Sequence, residues 1–340
     1  MFHLHQRSAV PSPFELTRHE MQDAVATLRG WAGYAATPLH RLHSFPAASA
    51  VWLKEESQRF GVGNFKPPGA AYALTRLLRE RRAGTMVVTA SAGNYGRSLA
   101  WAARQLDLPC TIYVGDGVSA ASREAIQREG ASILQVVGTY DDAVRTAAAA
   151  ARGNGWTLVS DTAFDGYEEI PRFVMAGYAL LLDEVETQLR PTHVFVPGGV
   201  GGLAAAVAAY YAQAGGARPR IIVVEPRASD CLLQSSIRGA RAVTFGAFDT
   251  QLVPLACGEP STLAWRILAD HADAFIAITD EEAIEGAERM RAEDSHPSVG
   301  LCAGATAGAL LSVLKRKEHA AALDLTGASN VLLIGTDGKS

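Results

Sequence analysis

His193-Val194-Phe195-Val196-Pro197-Gly198-Gly199-Val200-Gly201-Gly202-Leu203 is the stretch on which the fold turns. It predicts an apolar strand over His193–Pro197, a loop of four glycines, and an apolar helix over Leu203–Tyr211. Glycine lets backbone approach a ligand closely. The unpaired N–H groups of a helix start favour an anion. The loop therefore reads as a phosphate cradle at the carboxyl end of a strand, where open α/β sheets bind ligands. Taken alone, the stretch leaves two other readings open. Gly199-Val200-Gly201-Gly202-Leu203-Ala204 fits G-x-G-x-x-A, and Glu225 closes the strand Ile221–Glu225 at roughly the spacing of a ribose-binding acid, which together describe a dinucleotide site of an NAD-dependent oxidoreductase. The glycines also suit plain close packing of helix on strand.

The strand-then-helix pattern repeats on both sides. Upstream, Met86–Ala90 leads through Ser91–Tyr95 into a helix over Gly96–Leu106, and Cys110–Val114, Ser132–Val137 and Trp156–Ser160 read as strands. Between them Ala120–Glu129 and Tyr140–Arg152 read as helices, and Ile170–Leu189 as one long helix. Downstream come Ala274–Thr279, Glu281–Arg291, Thr306–Leu314 and Asn330–Gly335. Such alternation predicts an α/β fold of mostly parallel sheets flanked by helices. With 340 residues the chain has the length of about two domains.

Composition narrows the function. The chain is 48% hydrophobic and 19% charged, which excludes a disordered protein. A net charge of −4 argues against nucleic acid as a partner. No apolar run reaches the ~18 residues of a membrane span, and Met1–Pro13 has no apolar core of a secretory signal. Cys110, Cys231, Cys257 and Cys302 are scattered without a CxxC pair, as expected of reduced thiols in the cytoplasm. His40 and His43 stand three apart with no third ligand to name, so no metal site is expected.

Three further stretches carry chemistry. In Gly63-Asn64-Phe65-Lys66-Pro67-Pro68-Gly69-Ala70-Ala71-Tyr72 a lysine precedes a helix start marked by prolines. Apolar neighbours favour its neutral amine, which can form a Schiff base with an aldehyde. A surface lysine on a loop is the plainer alternative. Ser91-Ala92-Gly93-Asn94-Tyr95-Gly96 joins a strand to a helix and offers amides to a carboxylate. Ile334-Gly335-Thr336-Asp337-Gly338 ends the last strand with a hydroxyl placed for a heterocyclic nitrogen.

In this order, the four stretches resemble the fold type II (tryptophan synthase β-like) enzymes that use pyridoxal 5'-phosphate, and among them the pattern is most similar to the diaminopropionate ammonia-lyases. The similarity runs from about Thr37 to Gly338 and includes Asp161-Thr162-Ala163-Phe164, Gly166-Tyr167-Glu168-Glu169-Ile170-Pro171 and Cys257-Gly258-Glu259-Pro260-Ser261. The resemblance implies two open twisted sheets with the cofactor in an interdomain cleft. Residues 71–167 would form a smaller domain inserted into a larger one of 1–70 plus 168–340. Lys66 would hold the cofactor covalently and then act as the base at the substrate Cα. Asn94 would bond the ring hydroxyl; Gly198, Gly199, Val200, Gly201, Gly202 and Leu203 would cradle the phosphate; Thr336 would face the pyridine nitrogen. Ser91, with the amides of Ala92, Gly93 and Tyr95, would take the substrate carboxylate, and Asp161 would meet a β-amine.

The implied activity is α,β-elimination on a β-substituted L-amino acid through an aminoacrylate, in a cytoplasmic homodimer. β-Replacement by a second nucleophile shares the chemistry up to that point, and an inactive binding protein of the same fold is a further alternative. The chain departs from the family pattern in three places. Ala92 and Tyr95 replace an Asp and a His, and with that Asp goes the base presumed for the D-isomer. Cys302-Ala303-Gly304-Ala305 stands where Glu-Ser-Gly-Ala is common, and Gly335 where Ser or Thr precedes the threonine.

Overall fold

The computed structural model describes residues 1–7, 15–45 and 49–338, so positions 8–13 of the N-terminal stretch read above lie outside it. The strands are β1 (Phe2–Leu4), β2 (Leu39–Leu42), β3 (Ser49–Glu55), β4 (Val87–Ala90), β5 (Cys110–Gly115), β6 (Ser132–Val136), β7 (Thr157–Leu158), β8 (His193–Pro197), β9 (Arg220–Pro226), β10 (Ala274–Ile278) and β11 (Ser329–Gly335). They form a seven-stranded sheet in the order β1-β10-β9-β8-β11-β3-β2 and a four-stranded sheet in the order β6-β5-β4-β7. The four-stranded sheet is wholly parallel. The larger sheet is parallel except at its edges, where β1 and β2 run antiparallel to their neighbours. Every residue of β8 and β10 is buried, as in sheets covered by helices on both faces. Among the described residues no helix is long and apolar enough to cross a membrane.

Local structure differs from the sequence reading in several places. The long helix expected over Ile170–Leu189 is two helices, Glu169–Gly177 and Ala179–Glu186, parted at Tyr178. Gly177 lies against the helix Pro67–Arg79, where a β-carbon on it would come 2.4 Å from Pro68 O and one on Gly69 would come 2.7 Å from Tyr178 Cε1. That crossing admits only glycines, and the turn tightens there as Tyr178 N–H donates to Met175 O (3.1 Å). The strand expected over Trp156–Ser160 keeps only Thr157–Leu158; at its end the Tyr167 hydroxyl donates to Leu158 O (2.8 Å) and accepts from Ser160 N–H (2.9 Å). The helix expected from Gly96 starts at Asn94, and that expected from Thr306 starts at Leu301.

A cluster of four buried charges locks the larger sheet to its helices. Lys54 Nζ donates to Glu184 Oε2 (2.6 Å), Arg59 spans Glu56 (Nε to Oε2, 2.8 Å) and Glu184 (Nη1 to Oε1, 2.7 Å), and Thr37 Oγ1 donates to Glu56 Oε1 (2.5 Å). Two cations face two anions, so the group is neutral overall, and its hydrogen bonds repay part of the large cost of removing ions from water.

Candidate active site

Lys66 enters its helix through Pro67 and Pro68, whose fixed φ suits a first helical turn. The end of β11 carries the loop before it: Asn64 bridges Asp337, and Phe65 N–H donates to Thr336 O (3.1 Å). The half-buried Lys66 amine donates to Asp161 Oδ2 at 2.5 Å. It also lies 5.8 Å from the Phe65 ring centroid and 5.6 Å from that of Tyr95, with Tyr178 against Phe65 at 5.0 Å. The rings of Phe65 and Tyr95 thus flank the amine on the sides that Asp161 leaves open.

Asp161 stands between the lysine and the glycine loop. A β-carbon on Gly202 would sit 3.9 Å from Asp161 O. Ala163 N–H donates to Ser261 Oγ (3.0 Å) and Ser261 N–H to Val200 O (2.9 Å), tying the Asp161 loop to the cradle. Gly199 (φ +64°) and Gly201 (φ +97°) take the left-handed conformation that side chains resist, and no side chain caps the helix Gly202–Gln213 that begins there. Leu203 is buried in the core, so it reaches the cradle by backbone alone. Cys257 flanks the loop, its Sγ 3.7 Å from where a β-carbon on Gly199 would lie, and burial pushes its thiol up to about 11.

Asn94 opens the helix Asn94–Gln105, whose start no side chain caps. Its carbonyl accepts from Ser98 Oγ (2.7 Å). Beneath it, a β-carbon on Gly96 would come 2.2 Å from Ser91 O, so this turn demands glycine. Ala92 packs against the core and Gly93 is exposed at the cap. Tyr95 is buried, its hydroxyl without a partner among the described residues. The structure therefore joins Lys66, Asp161 and Tyr95 directly, sets Thr336 beside the lysine loop, and brings the cradle in through Asp161.

The dinucleotide reading is corrected. Glu225 packs against the glycine loop but does not offer it a carboxylate as a ribose-binding acid would: it is buried, and its carboxylate accepts from Leu232 N–H (2.9 Å) and Leu233 N–H (2.8 Å) at the start of the helix Cys231–Arg238. Burial raises its carboxyl to about 8. His40 and His43 part company, His40 Nε2 meeting Glu55 Oε2 (2.8 Å) while His43 N–H donates to Glu293 Oε1 (2.9 Å).

Sequence reasoning missed Asn64, Tyr178 and Asp337. Asp337 caps the helix Leu301–Leu314, its Oδ1 accepting from Ala303 N–H (3.0 Å) and its carbonyl from Gly300 N–H (3.1 Å). This sets Cys302 beside Asp337, next to Thr336. Only Asn64 left a local trace, as an Asn two residues before a functional lysine. The donor set suits pyridoxal phosphate: an amine for its aldehyde, a glycine cradle and helix start for its phosphate, and a buried hydroxyl at Thr336 for its ring.

Comparison with known proteins agrees. Residues 31–337 match the model of the family described as "Pyridoxal-phosphate dependent enzyme". The chain is 35% identical to diaminopropionate ammonia-lyase of Salmonella typhimurium, over 90% of this chain and 86% of that protein. It is 36% identical to the Escherichia coli protein of that name over 75% and 71%. The crystal structure of the Escherichia coli enzyme "in complex with aminoacrylate-PLP azomethine reaction intermediate" superposes with a TM-score of 0.90 at 31% identity, covering 99% of this chain and 93% of that one.

Proposed function

The chain belongs to the family of pyridoxal-phosphate dependent enzymes, and on that premise we propose that it is a lyase performing α,β-elimination on a β-substituted L-amino acid. A three-carbon diamino acid, as in the name of its relatives, suits it best: with one water it gives pyruvate and two ammonia. The contact of Lys66 Nζ with Asp161 Oδ2 at 2.5 Å carries the reading, because it sets a base and a cation-binding carboxylate side by side.

Bound here, pyridoxal phosphate supplies an aldehyde that captures the substrate amine and a ring that accepts the electrons left at Cα. Lys66 would hold the cofactor, and its freed Nζ would take the Cα proton. Asp161 binds a β-ammonium, and the amides from Ser91 to Tyr95 take the α-carboxylate. Gly198 to Gly202 and the N–H of Leu203 would hold the phosphate, Asn94 the ring hydroxyl, and Thr336 the ring nitrogen. Ala92 has no proton acceptor, which supports action on the L-isomer.

Residues 71–167 are proposed as the smaller domain, inserted between 1–70 and 168–340; the four-stranded sheet falls inside those limits. A cytoplasmic homodimer is proposed as well. Four free thiols support the compartment, and the exposed apolar Ile237, Phe245 and Val253 within one connection support a second copy.

The test mixes pure holoenzyme with diaminopropionate, serine, threonine or cysteine and assays 2-oxo acid and ammonia. Diaminopropionate is expected to give pyruvate fastest. Silence across all four, or no borohydride-fixed cofactor on Lys66 in peptide maps, overturns the proposal.

A further inference from the structure

We infer that Asn64 is the positioning residue of Lys66, fixing the amine in register with the helix that starts at Asn94 and with the strand end that bears Thr336. The inference rests on the proposed role of Lys66. Asn64 is fully buried, and its Oδ1 accepts from Lys66 N–H (2.9 Å) and from Ser98 Oγ (3.2 Å). The single Ser98 hydroxyl proton is shared between Asn64 Oδ1 and the nearer Asn94 O (2.7 Å), and Arg97 of the same helix donates to Val62 O (2.8 Å), just before the loop. The Asn64 backbone bridges Asp337, and Phe65 N–H holds Thr336 O. Three separate segments, each with a proposed cofactor contact, thus meet around one residue, two at its side-chain amide and the third at its backbone and that of Phe65.

The orientation of that amide is determined. Lys66 N–H can only donate, so oxygen must face it. Nδ2 then points away, buried, with no partner among the described residues. An unpaired buried donor is costly, and a serine would close the same local turn without it. What the asparagine adds is reach: its longer side chain also spans to Ser98, coupling the lysine loop to the Asn94 helix. Asn64 touches no reacting group, so its effect passes through the placement of Lys66.

The experiment uses holoenzyme with Asn64→Ala and Asn64→Ser. The readouts are the cofactor's visible band across pH, the rate of borohydride fixation on Lys66, and kcat and KM with diaminopropionate. Asn64→Ala is expected to keep cofactor, with KM within about twofold, a displaced titration of the visible band and a kcat lower by about tenfold or more, the scale of small misplacements at reacting groups. Asn64→Ser, which keeps the acceptor for Lys66 N–H, is expected to recover part of both. An unchanged band and kcat in Asn64→Ala overturn the inference; so does joint loss of cofactor and Tm in both variants, which marks a purely structural residue. If Asn64→Ala does not fold, Asn64→Ser decides alone: a partial loss with a shifted band supports the inference and unaltered behaviour overturns it. Absence of label on Lys66 in the unaltered protein is a separate result, and it removes the proposed role of Lys66 and this inference together.

Discussion

Glu225 fills the space that a side chain on Gly198 would need: a β-carbon there would lie 2.6 Å from Glu225 Cγ. The acid thus supports the glycine loop from behind and anchors the next helix through Leu232 and Leu233. One residue explains why the loop must be glycine at this point and why the dinucleotide reading loses its acid.

Glu225 gives stability a pH dependence. Its folded value of about 8 exceeds the ordinary 4.5, so the stability linked to it is complete below about pH 4.5 and is lost as pH rises through about 8. Within that window the slope is about 1.4 kcal/mol per pH unit. Urea melts of the unaltered protein and Glu225→Gln at several pH values are expected to show the decline in the first and a flatter profile in the second. Parallel profiles count against this.

The Lys54–Glu184 cluster responds to loss of one member more than to its presence. Burial raises the Glu184 carboxyl, but the hydrogen bond and charge of Arg59, with Lys54, outweigh that and hold it below 4.5. Its stabilisation is present above that pH and lost in acid as pH falls through the folded value. Glu184→Gln leaves two buried cations with one anion and is expected to cost about 3–5 kcal/mol in denaturant titration. A loss below about 1 kcal/mol, the scale of a surface pair, contradicts the assignment.

Asp161→Asn keeps shape and removes charge. kcat/KM for diaminopropionate is expected to fall about 10–100-fold, the worth of a charge-assisted hydrogen bond, while the value for serine changes far less. Equal losses on both substrates place Asp161 on Lys66 alone.

Tyr211 is buried and its hydroxyl has no partner among the described residues. Tyr211→Phe removes an unsatisfied group without changing shape, so a gain of about 1 kcal/mol is expected in thermal unfolding. A lower Tm speaks for an uncounted hydrogen bond.

The sequence carried what is local. The glycine loop, Lys66 before two prolines and the apolar strands each signal through neighbours in the chain. What it hid depends on distant partners. The helix break at Tyr178 comes from Gly177 meeting Pro68 and Gly69 across the fold, and nothing near Gly177 announces it. Asp337 gains its role from the start of a helix 34 residues earlier in the chain. The inward turn of Glu225 arises because a helix starts where it ends, a contact that spacing counted from the glycine loop does not register.

The neutral quartet of Lys54, Arg59, Glu56 and Glu184 has a thermal corollary. Water solvates ions less favourably as temperature rises, so keeping these four dry becomes cheaper on heating while their mutual attraction remains. The cluster therefore holds the larger sheet most effectively near the top of the protein's working range, where packing of apolar groups no longer gains.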